Sequence, residues 1–382
     1  MPLGRYGRTR RAVLLSSFDF RHNAIGFLRL AFAALVVLSH AYPLGGFGTD
    51  PLDRWSGGHE DLGNLAVAGF FVLSGFLITR SAERARTFGR FLWHRFLRIF
   101  PAFWTCLLVT VVVFAPVVAL LEGRPLAHYG GDVDSPLRYA VANADLTMRQ
   151  YGIAGLLRAV PYPRAFDGSL WTLRFEFGCY LVIGVLAAAS IVRGRRWLVA
   201  ALTAVIFICY AVPVTIAGFT TARFPLDAIA QGNNRLVAEL VVYFFAGATA
   251  YVYRDRLALT RPIGIAGLLV ALLALHFPIY PLITPVAFSA AALWLAADLP
   301  LRDVDRHMDL SYGLYIYAFP LQQIAVLCGL ARLGVWIYTA VPLAGALAMA
   351  CASWFAVERP ALALKEATPF ALRWLLEPRG TR

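Results

Sequence analysis

The sequence predicts an all-α, polytopic integral membrane protein of about ten transmembrane helices with both termini in the cytoplasm. Three observations carry that prediction. The first is composition: 59% of the 382 residues are hydrophobic and 15% charged, with a mean hydropathy of +0.65, whereas a soluble domain is about half apolar and about a quarter charged. So few charged side chains do not clothe a water-facing surface of this size. The second is a succession of ten apolar runs, and the third is the distribution of arginine and lysine between them.

A helix needs roughly 17 to 25 residues to cross a hydrocarbon layer of ~30 Å. Runs of about that kind lie at 25–42, 62–79, 99–121, 170–191, 197–217, 236–253, 262–277, 282–297, 310–330 and 335–357. The seventh and eighth are short and joined through Pro278 and Pro281, which allows a tight hairpin or two partial spans. With the N-terminus inside, the inner segments hold 24 of the 35 basic residues and the outer loops 9, with Arg29 and Arg174 inside spans. Cytoplasmic loops retain positive charge, so this sum fixes the expected orientation. The chain then divides into a basic cytoplasmic tail (1–24), a transmembrane domain (25–357) with a long outer loop at 122–169, and a second cytoplasmic tail (358–382).

The net charge of +13 points to anionic lipid rather than nucleic acid, since it is spread over six inner segments. Cys106, Cys179, Cys209, Cys328 and Cys351 lie in apolar runs without CxxC spacing, which excludes a disulfide framework and a cysteine metal site. Arg10 and Arg11 precede an apolar stretch that ends at Ser16, too short for an export signal core, so the first span is expected to be retained. Only 25 residues follow the last span. Any chemistry is therefore expected within the bundle or its loops.

An ionisable side chain inside a span costs ~2.5 to 3.5 kcal/mol for arginine at mid-helix, so each one needs a reason. They are Arg29, His40, Arg174, Glu176 and Glu239. Arg29 and His40 are eleven residues apart, and eleven steps of ~100° return to within ~20° of the same face, about 16 Å along the axis. Together they line most of a transmembrane passage. The plainer alternative is a snorkelling arginine and an interfacial histidine. Glu176, in the outer third of the fourth span, is expected near the depth of His40, where a carboxylate can orient an imidazole acting as general base. An ion pair with Arg174 is the structural alternative. Glu239 reads as a solvated group near the outer interface.

Before the third span, Arg90, His94 and Arg98 recur at i, i+4 and i+8 with Arg95 beside them and aromatic residues opposite, the pattern of an interfacial amphipathic helix able to grip phosphates. A positive-inside anchor explains the same pattern. No P-loop, GxGxxG, HExxH or GxSxG is present, and Ser74 beside Gly75 signals close helix packing more than a nucleophile. The outer loop, at 48 residues, exceeds a mere connector. Its Tyr129, Tyr139, Tyr151 and Tyr162 with Asp132, Asp134, Asp145 and Asp167 suit sugars, as they suit any folded, hydrated loop.

Six blocks in order now carry a resemblance. They are Asn23-Ala-Ile-Gly-Phe-Leu-Arg29 with His40, Phe70-Phe-Val-Leu-Ser-Gly-Phe-Leu-Ile78, Arg95-Phe-Leu-Arg98-Ile-Phe-Pro101, Ser169-Leu-Trp-Thr-Leu-Arg-Phe-Glu176, Ser311-Tyr-Gly-Leu-Tyr-Ile-Tyr, and Val357-Glu-Arg-Pro360. The chain resembles the acyltransferase 3 family of membrane O-acyltransferases, which modify O-antigens, exopolysaccharides and nodulation factors, over roughly residues 23 to 360. The resemblance implies a multi-pass protein of the bacterial inner membrane that takes an acyl group from cytoplasmic acyl-coenzyme A, most often acetyl-coenzyme A, and delivers it to a hydroxyl of an extracytoplasmic glycan or lipid-linked saccharide. Coenzyme A is then a co-substrate and no cofactor stays bound. Membrane lipid is a further partner, with self-association left open.

The resemblance maps its Arg and His onto Arg29 and His40 and its Arg-x-x-Arg onto Arg95 and Arg98; with the residue reading, Arg29, His40 and Glu176 are the expected catalytic residues, Arg80, Arg90, Arg95 and Arg98 the expected acyl-coenzyme A contacts, and Tyr162, Asp167, Ser169 and Trp171 the expected acceptor contacts. The sequence departs from relatives at Tyr317-Ala-Phe-Pro320, where many have a histidine before the Phe-Pro, and it lacks the fused esterase-like domain of some members. A transporter or flippase is the rival class, since polar residues within ten spans also suit a substrate pathway. No inverted repeat of hydropathy supports it, and a purely scaffolding protein leaves the shared face of Arg29 and His40 unexplained.

Overall fold

A computed structural model describes residues 15–125, 134–216, 234–302, 304–306 and 308–367. Tyr129, Asp132, and the parts of both tails at 1–14 and 368–382 lie outside the described residues. Regular structure among the described residues is helical: α1 (Ile25–Gly45), α2 (Pro51–Ser56), α3 (Leu62–Arg84), α4 (Phe88–Leu121), α5 (Pro136–Asn143), α6 (Thr172–Ala188), α7 (Arg196–Ile216), α8 (Asn234–Val252), α9 (Arg261–Ala274), α10 (Tyr280–Asp298), α11 (Ser311–Leu327) and α12 (Val335–Glu366). Each of the ten apolar runs coincides with a helix. Five of these, α1, α3, α4, α10 and α12, are long and apolar enough to cross a membrane by length and composition.

The ambiguous seventh and eighth runs form a hairpin of unequal arms. At 1.5 Å per residue the 14-residue α9 reaches only about 21 Å, short of the ~30 Å layer, while the 19-residue α10 nearly spans it. A second difference concerns the expected amphipathic segment. It is not a separate surface helix but the first three turns of α4, which runs unbroken through Pro101 for 34 residues. The face of Arg90 and His94 is covered by the end of α12: Arg90 Nη1 donates to the carbonyls of Lys365 (3.0 Å) and Ala367 (2.9 Å), His94 Nε2 lies 3.2 Å from the Lys365 carbonyl, and Trp93 Nε1 donates to that of Leu364 (3.0 Å). Carbonyls at a helix C-terminus lack intrahelical donors, and these side chains supply them. The stretch read as the start of a tail at 358 is thus helical to Glu366. At the other end, Leu15 and Phe18 are buried and Phe20 stacks on Phe76, so the second half of the N-terminal tail is also docked.

Two π-helical turns interrupt the long helices, at Thr110–Phe114 in α4 and Trp354–Glu358 in α12. Each ends two residues before a proline, Pro116 or Pro360. Proline has no N–H for the carbonyl four residues back, and the backbone locally widens to accommodate the loss.

The bundle is built around α1, which packs on α3, α11 and α12, while α3 packs closely on α8. The α3 and α8 contact is backbone against backbone. A Cβ on Gly75 would fall 1.9 Å from the Phe244 carbonyl oxygen, and one on Gly247 would fall 2.1 Å from that of Val72. Gly75 therefore does what the sequence suggested for it, since in lipid small residues let helices approach and gain dispersion contact. Neither atom it would strike is a movable side chain. Gly75→Ala should lower stability by about 1 to 3 kcal/mol, the usual cost of overpacking, seen as a reduced unfolding midpoint in detergent. An unchanged midpoint would show that the two helices separate at no cost.

Candidate active site

Helix α1 places Arg29 and His40 against two small cavities that follow each other along its axis. Named for the expected orientation, the inner one, about 40 Å³, is bordered by Arg29, Phe70, Glu176, Ser311 and Tyr312, and the outer one, about 20 Å³, by Ser39, His40, Asp61, Ser169 and Trp171. Volumes of this size hold a few waters at most. Both cavities share Val67, Thr172 and Tyr315, which form the partition between them. That partition is hydrogen-bonded on all sides: Tyr315 Oη lies 2.7 Å from Thr172 Oγ1 and donates to the Ser169 carbonyl (2.6 Å), and Ser169 Oγ donates to Asp167 (2.6 Å).

An ion network extends from Arg29 on the wall of the inner cavity. Arg29 Nη1 donates to Asp309 Oδ2 (2.9 Å), Arg98 binds the same oxygen, and Arg98 Nη1 lies 3.6 Å from Glu358 Oε2. The other oxygen of Asp309, Oδ1, is held just before α11 by Ser311, accepting from Ser311 N (3.2 Å) and Ser311 Oγ (2.6 Å). Burial alone would push the Asp309 carboxyl up, but the two guanidiniums outweigh it and hold the group well below the usual carboxylate range. The π turn in α12 helps aim Glu358, whose Oε1 accepts from Ser353 five residues back (3.2 Å).

The expected contacts fall into different places. Arg98 is committed to Asp309 and Glu358 inside the protein, and Arg90 to the end of α12. Arg80 lies 3.7 Å over the Phe20 ring, and its Nε has no partner among the described residues. Arg95 is the least committed guanidinium of the network: it makes one long contact to Ser81 Oγ (3.5 Å), its Nε is buried without a partner, and Glu176, Tyr180 and Arg29 lie within its electrostatic reach.

Glu176 requires a correction. It was expected to orient His40, but it lines the inner cavity with Arg29, where Oε1 accepts from Ser74 Oγ (2.7 Å) and Tyr180 Oη (2.5 Å). The physical reason is helical rise: α6 begins at Thr172 on the partition, and Glu176 sits one turn, ~5.4 Å, further along the axis. Arg174 is exposed on another face of α6, and its ring contact is to Phe175, not an ion pair with Glu176. Glu239, expected to be solvated, is buried beside Tyr243. Ser74, set aside as packing, donates to Glu176.

Around His40, Trp171 and Ser169 line the cavity as expected, whereas Asp167 is fully buried behind Ser169. Tyr162 and His40 both pack on the Phe319 ring, with centroids 5.9 Å and 5.3 Å from it. The carboxylate that borders the His40 cavity is Asp61, the N-cap of α3, which accepts from the Asn64 backbone at 2.7 Å. Its signal in the sequence, Asp61 three residues before Asn64 at the start of an apolar run, is an ordinary capping pattern. Neighbouring Asp50 accepts from Ser39 Oγ (2.5 Å) and from the Leu62 backbone (2.9 Å). The described residues contain no grouping of three or more potential ligands suited to a metal ion.

Burial, helped by the charges of Asp50 and Asp53, pushes the Asp61 carboxyl up to about 7, and burial pushes Asp167 to about 7 as well. Between the ordinary value near 3.8 and 7 the folded protein holds protons that the unfolded chain has released, so folding stability falls as pH rises through that window. The unfolding midpoint should be higher at pH 5 than at pH 7.5 from these two groups, and Asp61→Asn with Asp167→Asn should flatten the difference. A pH profile unmoved by the double substitution would refute this assignment.

The chain is similar to known proteins over most of its length. A family model described as an acyltransferase domain matches residues 22–357. The chain is 29% identical over 320 residues to a protein named O-acetyl transferase from Shigella phage Sf6, covering 80% of this chain and 86% of that protein. It is 28% identical over 368 residues to Nodulation protein 10 of Rhizobium leguminosarum bv. viciae, covering 90% of this chain and 94% of that one. No solved structure matches it significantly. With the family match running from the last residues before α1 to the π turn of α12, the chain belongs to the acyltransferase 3 family.

Proposed function

We propose that the protein is a membrane O-acyltransferase that takes an acyl group, most simply acetyl, from cytoplasmic acyl-coenzyme A and passes it to a hydroxyl of a glycan or lipid-linked saccharide on the far side of the bacterial inner membrane. The observation that carries this reading is the stacking of two small cavities along one face of α1, with Arg29 on the wall of the inner and His40 on the wall of the outer, divided by Tyr315 and Thr172. The name of one relative, O-acetyl transferase, supports transfer of acetyl to an oxygen.

Each side chain then has a task. Arg95, with an uncommitted guanidinium, meets a phosphate of the donor by charge-assisted contact. Arg98 and Arg29 are held rigid by Asp309, so they shape the donor cavity and keep it electropositive without reorganising. Glu176 Oε1 takes both of its hydrogen bonds, and Oε2 keeps acceptor capacity for the amide N–H groups of the donor's pantetheine arm. His40 removes the acceptor hydroxyl's proton as that oxygen attacks the thioester carbonyl, and the coenzyme A thiolate leaves toward its own side. Asp61, in the same cavity, stabilises the imidazolium that results. Tyr315 must swing away for the two cavities to join.

The deciding experiment is one of sidedness. In proteoliposomes with the arginine-rich face outward, acetyl-coenzyme A added outside should acetylate a glycan trapped inside, and His40→Ala, still folded, should lower the rate by about 100- to 10,000-fold. Acetylation only of glycan on the donor's side, or normal turnover by the histidine variant, would overturn the reading.

Donor recognition has its own test. Arg95→Gln should raise the KM for acetyl-coenzyme A about tenfold or more, the worth of one or two charge-assisted hydrogen bonds, and leave the acceptor's KM unchanged. Equal effects on both constants would make Arg95 a packing residue.

A further inference from the structure

The outer loop carries a second and larger cavity that the transfer chemistry does not use. It encloses about 360 Å³, within the range of small-ligand sites, which begins near ~300 Å³. Arg138, Arg149, Arg158 and Arg164 line it against a single carboxylate, Asp134. These are four of the five basic residues in the 122–169 loop, on the side of the membrane that the overall charge distribution otherwise leaves poor in arginine. Topology gives no reason for them to be there.

Their pairing is equally uneven. Arg149 is satisfied by Asp145 through two bonds of 2.8 and 2.7 Å, whereas Arg158 and Arg164 have no carboxylate partner among the described residues and are exposed. Tyr151 borders the same space, and its hydroxyl is buried without a hydrogen-bond partner. The loop is held in a costly shape around it. Leu146, Ala154, Leu157 and Arg164 adopt left-handed φ of 52° to 69°, conformations that cost a residue with a Cβ roughly 1 to 3 kcal/mol. The shape is braced by Arg164 N donating to Leu157 O (2.7 Å), Arg124 Nη1 to Ala154 O (2.9 Å), and Gln323 of α11 to the carbonyls of Tyr162 and Ala165 (2.8 Å each). The last brace ties the segment bearing Arg164 to the helix whose Phe319 packs on His40.

We infer that this cavity receives an anionic group, carboxylate or phosphate, carried on the saccharide acceptor, and that it selects acidic glycans and holds them with a hydroxyl toward His40. The inference deepens the transferase reading and rests on it for the identity of the acceptor. Two open guanidiniums fork onto carboxylate or phosphate oxygens, and Tyr151 adds an aromatic side chain to the same lining. Gln323 keeps anchor and base in fixed relation.

Binding tests the inference apart from turnover. Full-length protein in phosphatidylcholine nanodiscs is titrated with a fluorescent glucuronic acid tetrasaccharide, a phosphorylated mannose disaccharide, and the carboxyl-reduced neutral tetrasaccharide. At least one acidic sugar should bind about tenfold or more tightly than the neutral one, with an affinity that falls as salt is raised. Arg158→Gln with Arg164→Gln should erase that preference, and the Lys pair should retain part of it, which separates lost charge from a misfolded loop. Equal binding of acidic and neutral sugars, or a preference untouched by the Gln pair, would overturn the inference. So would loss of the preference when phosphatidylglycerol is added to the discs, which would assign the cavity to lipid headgroups. Failure of acyl transfer in proteoliposomes alters none of these outcomes, so the two readings fail separately.

Discussion

The structure depends on making buried charge affordable in a low-dielectric bundle. A lone guanidinium there costs several kcal/mol, and removing one partner of a buried pair commonly costs 3 to 5 kcal/mol because the other is stranded. Here Asp309 binds Arg29 and Arg98 together, and Glu358 closes the chain from the other side of Arg98. Four segments meet at these side chains: α1, α4, the turn before α11, and α12. None of the four can shift without leaving a charge unmatched. The network also explains why the long α4 stays in place despite its length, since its first turns are tied by Arg90 and Trp93 and its middle by Arg98.

That rigidity has a purpose only because the neighbouring parts differ from it. Arg95 and Glu176 retain unused hydrogen-bonding capacity beside the network, and Tyr315 is fixed by two hydroxyl contacts rather than by ions. Neutral hydrogen bonds contribute roughly 1 kcal/mol net each, against several for a buried ion pair. Motion therefore concentrates at the partition and not at the charged wall. The glycine contact of α3 and α8 works in the same direction. Backbone packed on backbone leaves no side chain to repack, and Ser74 is held at a set distance from Glu176.

Much of this was legible in the sequence, and the boundary is instructive. Hydropathy located ten of the twelve helices, because burial in lipid demands the same apolar composition whatever the helix touches. The face shared by Arg29 and His40 followed from helical periodicity alone. The partners did not. Asp309 and Glu358 lie 280 and 329 residues from Arg29 in sequence, and no local pattern marks them as its counter-ions. Glu176 was assigned to His40 by depth counted in residues, a measure that missed by one turn because α6 begins on the partition and not at the membrane surface. Asp61 was passed over because a capping aspartate looks alike at every helix start. The contact of Arg90 and His94 with the chain's own end is also invisible locally, since an amphipathic stripe carries no mark of the carbonyls that meet it.

The partition between the two cavities has a consequence beyond the reaction. A column of ionisable and hydroxylic groups running through most of a bilayer is the material from which proton wires are made. In this protein the column is interrupted at Thr172 and Tyr315, and the space on either side holds too little water for a continuous hydrogen-bonded file. With Tyr315 and Thr172 joined in this way, a column that could otherwise relay protons offers them no continuous path.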